Sequence, residues 1–238
     1  MVYSFNRLFV GIILCLILLL SYYFNFDYLI LSLIIGASIY DLCKSKLLTF
    51  LNSLVFIIIS IFLILDIYFT LNLFFFINLI LFFLVFLSFK SKSYVNFFFP
   101  IIIIIFLYFL FNLLLIDREI FYLCFLFSFL NDTSAYIFGN LIKGPLIIPT
   151  ISPKKTWSGT LISFLISIIV FYSLGYNTIF SFIAGISFFI GDIYFSYIKR
   201  ILSLKDFSNL LRSHGGILDR LDSIFLIVIF FNIYLRTS

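Results

Sequence analysis

Long apolar runs, broken only by isolated charges and turn residues, fill this chain from Leu8 to Ile116 and return between Phe121 and Leu235. A water-soluble fold cannot bury that much hydrocarbon surface. The apolar share is 64%, the charged share 11% and the mean hydropathy +1.29, against about 45–50% apolar and about 25% charged in ordinary soluble domains. The chain therefore reads as an all-α, polytopic membrane protein, since a helix satisfies its own backbone hydrogen bonds in hydrocarbon. The 37 Phe and 15 Tyr follow in part from AT-rich codons, so single Phe residues carry little weight.

A span needs about 20 mostly apolar residues. Breaks at charges and turn residues give nine candidates, roughly Leu8 to Tyr23, Leu29 to Tyr40, Leu47 to Leu65, Ile67 to Phe89, Val95 to Ile116, Phe121 to Phe138, Gly159 to Leu174, Thr178 to Ile198 and Ser223 to Leu235. The first two also suit a tight hairpin that does not fully cross. Arg7 before an apolar run resembles a signal peptide, but no small-residue cleavage site follows it, so a retained first helix is expected. With the N-terminus in the cytoplasm, the inner segments hold every Lys and Arg except Arg118 and Arg236, the asymmetry that orients membrane proteins.

Two regions follow from this layout. Residues 1–130 supply N-terminal membrane helices, about six when 121–138 is included. Residues 131–238 form a region with two cytoplasmic polar loops, 139–158 and 199–222, where its chemistry collects. There is no convincing internal repeat and no separate soluble domain. Cys15, Cys43 and Cys124 are scattered and form no CxxC or Cys/His cluster, so packing is their expected role. The formal charge of +5 sits beside hydrophobic spans, which points to anionic lipid or phosphate rather than nucleic acid.

The densest polar island is Ser196 to Asp222, with Lys199, Arg200, Lys205, Asp206, Arg212, the single histidine His214, Asp219, Arg220 and Asp222. Such density in a greasy chain indicates chemistry on a charged substrate at a membrane face. Asp132, Asp192, Asp219 and Asp222 lie in or next to spans, where a charge costs roughly 2.5–3.5 kcal/mol at the helix centre and usually faces a cavity. On a helix, Asp192, Ser196 and Lys199 or Arg200 share one face, and Asp219 and Asp222 share another. Two carboxylates one turn apart, beside a third from another helix, make a hard oxygen site suited to Mg²⁺. The same acids with Arg220 also suit a plain salt-bridge cluster. Gly215 and Gly216 permit a turn with φ > 0 and close approach to a ligand.

The second constellation is Ile151 to Thr160, ISPKKTWSGT. Ser152 reads as an N-cap and Pro153 as the first helical position, placing Lys154 and Lys155 in the first turn of the seventh helix. Cations there oppose the helix dipole unless an anion joins them, so the segment reads as a phosphate site. Membrane-surface anchoring is the competing reading. Asn131, Asp132, Tyr136, Gly139 and Lys143 supply a polar helix end that completes the same pocket.

Together these segments resemble the phosphatidate cytidylyltransferases, or CDP-diacylglycerol synthases. Ser196, Lys199, Arg200, Lys205, Asp206, Ser208, His214, Gly215, Gly216, Asp219, Arg220 and Asp222 fall in register with that family's signature. Gly191-Asp192, the SPKKTW segment, and Asp132 with Ala135, Tyr136 and Gly139 match as well, so the resemblance runs from about Asn131 to the C-terminus. Three positions depart. Phe195 replaces a frequent Glu, which removes any metal or proton role there; Arg212 replaces Pro or Gly; and Ser158 replaces Glu or Gln.

The resemblance implies transfer of CMP from CTP to phosphatidic acid, giving CDP-diacylglycerol and pyrophosphate for phospholipid synthesis. It implies a multi-pass enzyme of the inner (cytoplasmic) membrane, its active site facing the cytoplasm, and a homodimer, a common state for enzymes of this kind. Asp192, Asp219 and Asp222 would hold one or two Mg²⁺ ions, with Arg200, Lys205 and His214 beside them in the catalytic set. Asp132, Ser152, Lys154, Lys155, Ser196, Lys199, Gly215, Gly216 and Arg220 would bind substrate. The alternatives are a CTP-dependent transferase acting on another lipid phosphate, a non-catalytic scaffold, and an ion-coupled transporter that uses Asp132 and Asp192. The transporter leaves the tightly spaced KR, KD, HGG and DRLD residues unexplained.

Overall fold

The computed structural model describes residues 2–48, 50–69, 73–153, 155–211 and 215–237. Lys154, Arg212 and His214 lie outside the described residues. Among those described, the elements are all helices: α1 (Val2–Phe24), α2 (Asp27–Lys44), α3 (Phe50–Phe69), α4 (Phe74–Ser88), α5 (Lys92–Ile116), α6 (Arg118–Ile142), α7 (Trp157–Ser173), α8 (Thr178–Ile201), the single turn α9 (Leu218–Leu221) and α10 (Ile224–Thr237). Helices α1 to α8 and α10 correspond in order to the nine apolar segments expected from sequence. Among the described residues, α5, α6 and α8 are long and apolar enough to cross a membrane by length and composition.

One boundary moves. The sequence divides the third and fourth segments at Asp66, whereas α3 runs through it to Phe69 and α4 opens at Phe74. A lone aspartate is only a mildly poor helix former, unlike Gly or Pro, and does not end a helix by itself.

Helix α5 is the axis of the bundle. Its residues from Phe99 through Leu110 are all buried, Pro100 included, and α3, α4, α6 and α10 pack around it. Phe74 of α4 meets Phe109 edge-on at 5.4 Å, and Phe225 of α10 meets Phe106 at 5.3 Å, spacings typical of favourable aromatic pairs. Asn232 of α10 donates to the Phe109 carbonyl at 3.0 Å, a polar tie in an otherwise apolar seam. Helices α6, α7 and α8 pack in sequence, and α8 returns against α10.

The alternating helices gather like ends together. Asp27 opens α2 and Arg118 opens α6; they pair at 2.8 Å, with Tyr122 donating to Asp27 at 2.7 Å and Arg118 stacked over Tyr22 at 4.6 Å. Arg236 lies 4.2 Å from the Phe74 ring at the start of α4. Among the described residues, the other ends of these helices carry the remaining cations and the polar loops.

Candidate active site

At the polar end, α8 contributes Asp192, Ser196 and Lys199 on one face, as helical spacing predicts. Ser196 Oγ donates to Asp192 Oδ1 at 3.4 Å. Arg200 departs from that face: its guanidinium donates to the Ile151 carbonyl at 3.0 Å and holds the 145–157 loop. Lys199 is buried, and its ammonium reaches Asp219 Oδ1 at 2.7 Å and Asp222 Oδ2 at 4.0 Å. One cation therefore joins the two acids that α9 places a turn apart.

Asp219 is the most heavily used of these carboxylates. Besides Lys199, its Oδ2 accepts the N–H of Phe207 at 3.0 Å and of Gly216 at 2.9 Å. Gly215 adopts φ +76°, the left-handed turn expected at the glycine pair. Lys205 stands exposed on the same loop.

Helix α8 closely approaches the residues that lead into α10 at Gly191, where a Cβ would press into the Asp222 carbonyl oxygen. That contact sets Asp192 beside Asp222. Gly191→Ala is expected to force the two elements apart, lowering stability by about 1–3 kcal/mol, as thermal unfolding would show. An unchanged unfolding midpoint would show that the close approach is dispensable.

The second constellation is placed differently from its sequence expectation. Helix α7 begins at Trp157 with Thr156 as N-cap, whose hydroxyl accepts the Gly159 N–H at 3.3 Å. Ser152 and Pro153 lie in a turn, where the Ser152 N–H donates to the Ile148 carbonyl at 2.9 Å. The loop closes on itself through Leu146 and Thr156, with the Ile147 N–H on the Lys155 carbonyl at 3.0 Å. These cross-loop bonds favour Thr156 over Ser152 as the cap, so Lys155 precedes the helix. Its ammonium contacts Asp192 directly.

Asp222 is buried and receives the Ser223 N–H at 2.9 Å. Burial above all, and then the charge of Asp192, hold its carboxyl well above the usual carboxylate range; Asp132 adds to the rise, while Lys199 and Arg220 oppose it. Asp132 on α6 thus belongs to the same electrostatic cluster as Asp192 and Asp222.

Among the described residues, no three His, Cys, Asp or Glu side chains stand close enough together to enclose an ion. Lys155 and Lys199 occupy the space between the carboxylates instead. The donor chemistry nonetheless suits a hard divalent cation, since Asp192, Asp219 and Asp222 would offer it carboxylate oxygens.

The departures Phe195 and Ser158 have local explanations. Phe195 is fully buried among Phe99, Phe207 and Phe225, with centroids at 5.4, 6.1 and 5.4 Å, surroundings that favour a ring over a carboxylate. The Ser158 hydroxyl donates to the Lys143 carbonyl and ties the end of α6 to the start of α7.

One residue of the site escapes sequence reasoning. Asp41, on α2, is fully buried, accepts Ser208 Oγ at 2.6 Å and accepts the Leu218 N–H at 2.8 Å. No spacing rule joins positions so far apart in the chain.

Residues 4–238 match the family model described as the cytidylyltransferase family. Similar proteins include a phosphatidate cytidylyltransferase of Rickettsia typhi, 39% identical over 133 residues, covering 48% of this chain and 58% of that protein. A phosphatidate cytidylyltransferase of Staphylococcus haemolyticus is 36% identical over 121 residues, covering 47% and 46%. A putative phosphatidate cytidylyltransferase of Mycoplasma pneumoniae is 36% identical over 160 residues, covering 44% and 40%. The chain spans about half the length of the curated relatives it matches.

Proposed function

We propose that this chain, which belongs to the cytidylyltransferase family, transfers CMP from CTP to phosphatidic acid, releasing pyrophosphate and forming CDP-diacylglycerol. The observation that carries this reading is the alternation of charge at one end of the bundle: Lys155 on Asp192, and Lys199 on Asp219 and Asp222. Such a cluster suits a reaction whose barrier is mostly repulsion and alignment between two phosphates.

In that reaction a phosphate oxygen of the lipid forms a bond to the α-phosphorus of CTP. The bond from that phosphorus to the oxygen bridging the β-phosphate breaks, and pyrophosphate leaves with the electron pair. Lys154, Lys155, Lys199, Arg200, Lys205 and Arg220 would neutralise the triphosphate and the lipid phosphate, arginine by paired donors where its plane allows. Ser152, Ser196, Asp132 and the Gly215-Gly216 backbone would orient the substrates, with His214 beside them. Mg²⁺ held by Asp192, Asp219 and Asp222 would polarise the α-phosphate and help pyrophosphate leave.

The reading extends to topology. Helices α1 to α8 and α10 would make nine crossings with the N-terminus in the cytoplasm of an inner membrane, since every cation except Arg118 and Arg236 then falls on the inner side. Nucleotide would reach the polar end from water while the acyl tails of the lipid stay in the bilayer. A homodimer belongs to the same reading.

The test is pyrophosphate release by the detergent-purified chain with Mg²⁺, CTP and phosphatidic acid, each omitted in turn. Turnover that needs all three is expected. Turnover with a different lipid phosphate but not phosphatidic acid would reassign the acceptor, and a folded protein that does not bind CTP would overturn the proposal.

A further inference from the structure

The C-terminal part of α2 reaches across the bundle to the segment that carries the acid cluster. Asp41 there has 0% exposure, a costly place for a carboxyl unless its oxygens are satisfied. Its Oδ1 accepts from Ser208 Oγ at 2.6 Å and its Oδ2 from the Leu218 N–H at 2.8 Å. Both partners are neutral donors, and each adjoins a residue that meets Asp219 or is Asp219 itself. Phe207, before Ser208, donates its N–H to Asp219, and Leu218 immediately precedes it.

Gly216 completes the arrangement. Its N–H donates to Asp219 at 2.9 Å, while a Cβ at this position would overlap the Asp41 carboxylate. The segment is therefore gripped from two sides, by Asp219 from within and by Asp41 from another helix. Ser208 spreads the grip further, since its oxygen also accepts the Leu210 N–H at 3.1 Å.

We propose that Asp41 is a positioning residue, which seats residues 207–211 and 215–218 so that Asp219 and Asp222 are presented to Lys199 and to the nucleotide. The proposal rests on the catalytic reading above for its effect on turnover, and on the hydrogen bonds alone for its effect on the loop. Asp41 acts through geometry and touches no reacting atom. Asparagine can reproduce that geometry: its amide oxygen accepts from Leu218 while its NH2 donates to the Ser208 hydroxyl. Alanine cannot.

The experiment compares the wild-type full chain with Asp41→Ala, Asp41→Asn and Ser208→Ala in detergent, measuring hydrogen–deuterium exchange and pyrophosphate release together. Asp41→Ala is expected to speed exchange across 207–211 and 215–218 while α5 stays protected, and to lower kcat by more than about 10-fold, as small misplacements of catalytic groups do. Asp41→Asn is expected to restore both loop protection and kcat to within about 3-fold, because one oxygen and one NH2 satisfy the two partners.

An Asp41→Asn protein with a protected loop but the kcat of the alanine variant would overturn the proposal, because it would assign Asp41 a charge-dependent role. Unchanged exchange and turnover in Asp41→Ala would overturn it as well. If Asp41→Ala loses protection in every helix, Ser208→Ala decides, with faster exchange confined to 207–211 expected and no change refuting the grip. Absence of pyrophosphate release by wild type would refute the catalytic reading, and the exchange results would still judge Asp41.

Discussion

Asp219→Asn is expected to lower pyrophosphate release by more than about 10²-fold, the scale on which removing one preorganised electrostatic group acts, while the protein still inserts into membranes normally. The carboxylate takes part in three interactions at once: the Lys199 ammonium and the N–H groups of Phe207 and Gly216. An amide offers one accepting oxygen where the carboxylate offers two, so an NH2 group faces either the Lys199 ammonium on the Oδ1 side or both backbone donors on the Oδ2 side. The Lys199 charge is also left to Asp222 alone, at 4.0 Å. If Mg²⁺ joins the set, the substitution removes a ligand too, and the Mg²⁺ concentration for half-maximal rate should rise. Near-normal turnover in a folded Asp219→Asn protein would sink the assignment of this carboxylate to the reaction.

How much of this was legible beforehand depends on whether the relevant contacts are local. The i, i+4, i+7 face of Asp192, Ser196 and Lys199 follows from helix periodicity, as does the pairing of Asp219 with Asp222, because one helical turn fixes both. Sequence alone sets the start of the seventh helix a few residues early, because Ser152-Pro153 and Thr156 are both good cap signals locally. The choice falls to cross-loop bonds between 145–147 and 155–157, which no local rule sees. Arg200 illustrates the same limit: adjacent to Lys199, it turns instead to a carbonyl of another loop. Phe195 could be read as a missing acid from sequence, but only the fold shows the aromatic cage that replaces it.

Lys199→Met is expected to be the most damaging single change in the cluster for stability. It keeps the length of the side chain and its apolar stem but leaves Asp219 and Asp222, both buried, without their shared cation. Breaking a buried pair by removing one partner typically costs about 3–5 kcal/mol, because the remaining charge has lost its compensation. Thermal unfolding in detergent should fall accordingly, and pyrophosphate release should be lost. Adding Asp219→Asn to Lys199→Met removes the charge left behind, so the double variant should recover part of the lost stability, a coupling of about 0.5–3 kcal/mol. Its turnover should not recover, since neither the ammonium nor the carboxylate remains to meet a phosphate or an ion. Strict additivity of the two stability losses would show that Lys199 and Asp219 do not depend on each other. Recovered turnover would show that the pair supports the fold without serving the reaction.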